Sequence, residues 1–115
     1  VLNATLTREG AVLTSDLRIC QNFWERGRGL LWRPPLTAAR GDALLIPKCN
    51  SVHTFWMGYS IAVVFIGKDG TVLKICPGLP PRRVVGHKGA RYTLEVAADT
   101  AWVQTLQVGQ RLQWG

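Results

Sequence analysis

Apolar and polar residues alternate with a period of two along most of this chain, the pattern of strands that bury one face. In "LNATLTREGAVLTSDLRIC", residues 2–20, the alternation breaks at Arg8-Glu9-Gly10, which predicts strand, turn, strand. "IAVVFIGKDGTVLKIC" predicts a hairpin of two Val- and Ile-rich runs, 61–66 and 71–76, joined at Lys68-Asp69-Gly70. There Asp-Gly supplies the positive φ angles of a tight turn. The first run is apolar on both faces, which places it inside a sheet or between two layers.

Helical signals are fewer. Asn22 and Glu25 resemble a capping box, and Phe23, Gly27, Leu30 and Leu31 share one helical face until Pro34-Pro35 forbids continuation, so a short helix is expected over about 23–32. A second is expected over about 99–106, capped by Asp99, carrying Ala101, Trp102 and Leu106, and stopped by Gly109. Pro77, Pro80 and Pro81 make the stretch from Cys76 to Gly89 a rigid exposed loop. Many short strands separated by turns predict a mainly β single domain, residues 1–115, of sandwich or barrel type.

At 115 residues and 47% hydrophobic, the chain is long and apolar enough to bury a core as one domain. The formal charge of +7 suggests an anionic partner. The densest basic groups, Arg26, Arg28 and Arg33, then Arg82, Arg83, His87, Lys88 and Arg91, are short and interrupted, and no nucleic-acid motif accompanies them. Nucleic acid is therefore not the favoured partner. Cys20, Cys49 and Cys76 are too few and too odd in number for a disulfide framework and are read as reduced thiols, with one disulfide plus a leftover thiol as the alternative. No segment reaches the roughly 18 apolar residues of a membrane span. The first residues lack a signal-peptide pattern, so the chain as given reads as cytoplasmic, or as exported if already trimmed.

"CNSVHTFWM", residues 49–57, places a thiol, an imidazole and a thioether at Cys49, His53 and Met57, donors that suit a soft ion. The stretch reads as strand, however, and each four-residue step along a strand separates Cα atoms by roughly 13 Å. Metal–ligand bonds are only about 2 Å long, so no metal site is assigned. A Cys–His nucleophilic pair needs a contact that spacing alone does not establish. The seven acidic residues fall singly, and "GRGLLWR" lacks the spacing of a phosphate loop. Hence no catalytic residue and no cofactor are assigned. His53, inside an aromatic stretch, is expected to hydrogen-bond near the core, and Glu95 interrupts an apolar strand.

Several stretches together resemble the DUF192 family of small uncharacterised bacterial and archaeal proteins. They are "ICQNFWERGRGLLWRPPL", "LLIPKCNSVHTFWM", "IAVVFIGKDGTVLKI", "ARYTLEVAADTA" and "VGQRLQW", in the family's order from about Leu17 onward. Arg26, Gly29, Leu30, Leu31 and Arg33 match one family pattern, and Cys49, Val52, His53, Thr54 and Met57 match the Cys-x-x-Val-His-Thr-x-x-Met pattern of a subgroup. The resemblance implies a β-sandwich-like or jelly-roll-like domain with small helical insertions, no established activity, and association of that subgroup with pilus and secretion assemblies. Ala62 and Gly67 stand where the family usually or often has Asp, which weakens any role needing those carboxylates.

Three readings follow. In the leading one the chain is a non-catalytic binding module for an anionic ligand or a protein partner. Arg26, Arg33, His53 and Glu95 would supply polar contacts and Cys49 and Met57 would line the site, an arginine pair being suited to gripping a carboxylate or phosphate. The others are a cysteine- or metal-dependent enzyme using Cys49 and His53, and a structural accessory protein of a pilus or secretion assembly.

Overall fold

A computed structural model of the chain describes residues 2–22, 36–54 and 58–115. Among the described residues nine strands form, β1 (Leu2–Arg8), β2 (Ala11–Ile19), β3 (Ala43–Pro47), β4 (Ser51–His53), β5 (Ile61–Ile66), β6 (Val72–Leu79), β7 (Val84–Gly86), β8 (Tyr92–Ala97) and β9 (Leu112–Trp114). Seven make one sheet in the order β6-β5-β8-β3-β2-β1-β9, and β4 and β7 make a second, two-stranded sheet. Only β2 and β3 pair in parallel. The mainly β, barrel-like expectation is thus realised as a single curled sheet. Its ends come together where Val72 N–H donates to the Gln110 carbonyl and Leu112 N–H to the Gly70 carbonyl, each at 2.8 Å.

Two apolar clusters follow from strand alternation. Leu6, Leu17, Leu45, Val64, Val72, Leu94 and Leu112 belong to one that joins both ends of the sheet order, so it fills the inside of the curl. Leu44, Ile46, Ile61, Val63 and Phe65 form the other, on the opposite face of the central strands, with Val52 and Val85 of the small sheet packed on it. β5 is buried throughout because it carries apolar residues toward both clusters, as its unbroken run predicts.

The two expected turns form in different ways. Glu9 (φ 52°) and Gly10 (φ 87°) both lie in the left-handed region, as a two-residue turn of the primed type requires. At Lys68-Asp69-Gly70 only Gly70 (φ 91°) does, and Gly70 N–H donates to the Gly67 carbonyl. That is a three-residue loop ending in a bulge, which corrects the expectation of two positive φ angles.

Other corrections follow. The stretch from Cys76 to Gly89 is not all loop, since β6 runs on to Leu79 and β7 follows. Pro77 is tolerated because β6 lies at the end of the sheet order and its pairing to β5 shifts register there. The expected helix over 99–106 is a 3-10 turn, Ala101–Thr105, preceded by Thr100 rather than capped by Asp99. The expected helix over 23–32 lies outside the described residues. Cys20, Cys49 and Cys76 form no disulfide among the described residues.

Candidate functional site

Strand register builds a cross-strand row from distant segments. Glu95 on β8 sits opposite Leu44 on β3 and Val63 on β5, and Val63 sits opposite Cys76 on β6. The row lies on the face of the second cluster, so the Glu95 carboxyl enters an apolar layer and is only 5% exposed. Burial there raises its pKa from 4.5 to about 7, because a carboxylate loses its hydration in the layer.

Two other groups share its surroundings. Tyr59 packs on the same cluster, and its hydroxyl accepts from Leu36 N–H at 3.4 Å. Burial pushes that hydroxyl's pKa up, against the lowering effect of the Leu36 N–H, and the charges of Glu95 and Asp42 push it further. Asp42, 4% exposed, precedes β3 and accepts from Arg40 Nε at 3.1 Å, Arg40 Nη2 at 2.9 Å and Thr37 N–H at 3.0 Å, with Arg18 Nη2 at 3.9 Å. Burial alone would raise its pKa, but those hydrogen bonds and the two guanidinium charges hold it below 3.8. Two buried carboxyls in one region are therefore tuned apart, Asp42 toward charge and Glu95 toward neutrality.

Residues 49–54 fold as a clasp. The Cys49 thiol donates to the Ser51 carbonyl at 3.1 Å, and the Cys49 carbonyl accepts from Thr93 Oγ1 at 2.9 Å, two residues before Glu95 on β8. Val52 packs inward, and His53 is exposed on the opposite side of β4. Thr54, fully buried, donates from Oγ1 to the Pro80 carbonyl at 2.7 Å and accepts there from Arg83 N–H at 2.9 Å, while its own N–H donates to the Arg83 carbonyl. The structure thus brings Cys49 and Glu95 to one face and puts His53 on the outside. Alternation from the inward Val52 is what turns His53 outward. Arg26, Arg33 and Met57 lie outside the described residues.

The segments that carry and flank the small sheet are basic. From Ala43 to Leu94 the only carboxylate in the sequence is that of Asp69. Asp69 is tied to Arg111 at 3.3 Å. Lys48, Arg82, Arg83, Lys88 and Arg91 are exposed, and Lys74 Nζ donates to the Gly86 carbonyl at 3.2 Å. Among the described residues none of these six enters an ion pair. Backbone bonds knit them together: Arg82 N–H to the Thr54 carbonyl, His87 N–H to the Asn50 carbonyl, and Cys49 N–H to the Arg91 carbonyl. Arg82 (φ 66°) and Lys48 (φ 54°) adopt left-handed backbone that non-glycine residues seldom take.

Sequence reasoning picked out Glu95 and the 82–91 basic group but missed Asp42 and Tyr59, whose proximity to Glu95 depends on long-range strand order. Among the described residues no three of His, Cys, Asp and Glu gather to hold a metal ion, and no helix is long and apolar enough to cross a membrane.

Fold and site together define a class of protein: a small chain whose curled sheet is overlaid by a basic two-stranded sheet, with a near-neutral carboxyl buried beneath. The chain belongs to the DUF192 family, described as "Uncharacterized ACR", whose model matches residues 4–114. A UPF0127 protein of Pyrococcus furiosus is 29% identical over 115 residues, covering 99% of this chain and 97% of that one. Another, of Pyrococcus abyssi, is 30% identical over 104 residues, covering 85% of each. These relatives are archaeal. A crystal structure of a protein of unknown function from Novosphingobium aromaticivorans shares the fold, with a TM-score of 0.77 at 16% identity, covering 98% of this chain and 84% of that one.

Proposed function

We propose that the protein is a non-catalytic binding module that docks an anionic partner on the outer face of the β4–β7 sheet. The observation that carries this reading is the one-signed charge around that sheet, where six cations from three separate segments form no ion pair among the described residues. Charge of one sign on one face concentrates and orients an oppositely charged partner. His53 and Val84, paired across the small sheet and both exposed, serve as contact residues. Cys49 and Glu95 act from beneath, Cys49 by holding the start of β4 to β8. Arg26, Arg33 and Met57 are assigned to the same site from the sequence alone.

Titration of the intact chain with heparin, a single-stranded oligonucleotide and an acidic peptide at about 20 and 200 mM salt tests the reading. Binding that weakens steeply with salt, and weakens further in Arg82→Ser/Arg83→Ser, is the expected result. No binding of any of the three at the lower salt would sink it.

A further inference from the structure

The β4–β7 ladder has a readable phase. Ser51, Val52 and His53 stand opposite Gly86, Val85 and Val84. His87 N–H donates to the Asn50 carbonyl at 2.9 Å and Thr54 N–H to the Arg83 carbonyl at 2.8 Å, so the pairs 50/87 and 54/83 are hydrogen-bonded ones. Bonded and non-bonded pairs alternate in an antiparallel ladder, which makes 52/85 bonded and leaves 51/86 and 53/84 non-bonded. The backbone N–H and C=O of Val84 and the N–H of Gly86 therefore point to the outer edge of β7. The Gly86 carbonyl there takes the Lys74 ammonium. Val84 is 70% exposed, and Gly86 at the other end of the edge is half-buried. Open strand edges are templates for another extended chain.

Building on the binding reading above, we infer that the anionic partner is an extended acidic polypeptide segment that adds a strand to the outer edge of β7. A peptide supplies alternating C=O and N–H groups at the spacing that Val84 and Gly86 present, which a phosphate or sulfate chain lacks. Arg82 and Arg83 precede the edge and Lys88 and Arg91 follow it, so side chains of an added strand would meet cations at both ends. The exposed Val84 side chain offers an apolar contact between them. With only three residues in β7, backbone pairing sets register and direction while charge supplies most of the affinity.

The test uses a synthetic peptide alternating Glu and Val, with heparin and an oligonucleotide as probes of charge alone, on the intact chain at low salt. Amide hydrogen exchange at Val84 and Gly86 should slow about tenfold with the peptide and stay unchanged with heparin. Val84→Pro, which deletes an N–H bonded to nothing within the small sheet, should weaken the peptide about tenfold and leave heparin unaffected. Should that variant misfold, the exchange measurement on the unaltered chain decides. Peptide binding with free exchange at both amides overturns edge pairing and leaves the anionic reading standing. Binding of heparin or the oligonucleotide without the peptide does the same. If none of the three binds, both fall together.

Discussion

Replacing Glu95 by Gln keeps the shape of the buried side chain and removes its titration. In the folded chain the carboxyl holds its proton up to about pH 7, against an ordinary value of 4.5. Between those values the folded state binds more protons than the unfolded one, so stability falls as pH rises. The contribution is fully present below 4.5 and is lost by the time pH has passed 7, a fall of about 3 kcal/mol in all. Asp42 titrates with the opposite sign. Its depressed pKa stabilises the fold above 3.8, and that stability is lost as pH falls through the lower folded value, outside the Glu95 window. Urea unfolding of the original chain and of Glu95→Gln at pH 4.5, 6 and 8 isolates the effect. The amide brings donors of its own, so the absolute offset between the two proteins is not diagnostic. The expected signature is that the variant gains on the original chain by about 3 kcal/mol between pH 4.5 and 8. An offset that stays constant across the range refutes burial as the governing influence on this carboxyl.

Two further perturbations probe the frame. Gly70 and Gly10 both have positive φ, but a Cβ at Gly70 would lie 2.4 Å from the Leu112 carbonyl oxygen, whereas at Gly10 it meets nothing within 4 Å. Thermal unfolding should therefore show a loss of about 1 kcal/mol for Gly10→Ala and about 3 kcal/mol for Gly70→Ala, since the latter parts the seam that closes the sheet. Equal losses would mean that the seam gives way freely. Thr100 Oγ1 is buried with no hydrogen-bond partner, so Thr100→Val should be neutral or stabilise by up to about 1 kcal/mol. Destabilisation beyond about 1 kcal/mol in chemical denaturation would show that the hydroxyl is bonded in solution.

What was legible in the sequence follows the range of the interactions involved. The β1–β2 and β5–β6 hairpins rest on local alternation and on turns containing Gly10 and Gly70, so period and turn chemistry located them. β7 was missed because nothing within Val84–Gly86 distinguishes it from the proline-rich stretch before it. Its position depends on Thr54, almost thirty residues away, whose hydroxyl joins the Pro80 carbonyl and the Arg83 N–H. Glu95 stood out as a charge in an apolar run, but its relation to Tyr59 and Asp42 arises from the adjacency of β3, β8 and β5, which no local pattern encodes. The outward side of His53 has a similar origin, since the anchoring of Cys49 and Thr54 sets the phase of β4.

That phase gives residues 49–54 a division of labour. Cys49 ties the clasp to β8, Val52 seals the second cluster, and Thr54 fixes the loop that carries Arg82 and Arg83, while His53 alone of these four is turned outward. Changes at Cys49 or Thr54 therefore act on the basic face as a whole by moving the sheet that bears it. A change at His53 acts on one contact within that face. Residues 49–54 thus hold the small sheet over the buried Glu95 carboxyl, and in the binding reading proposed above His53 is the one of the four that would meet the partner directly.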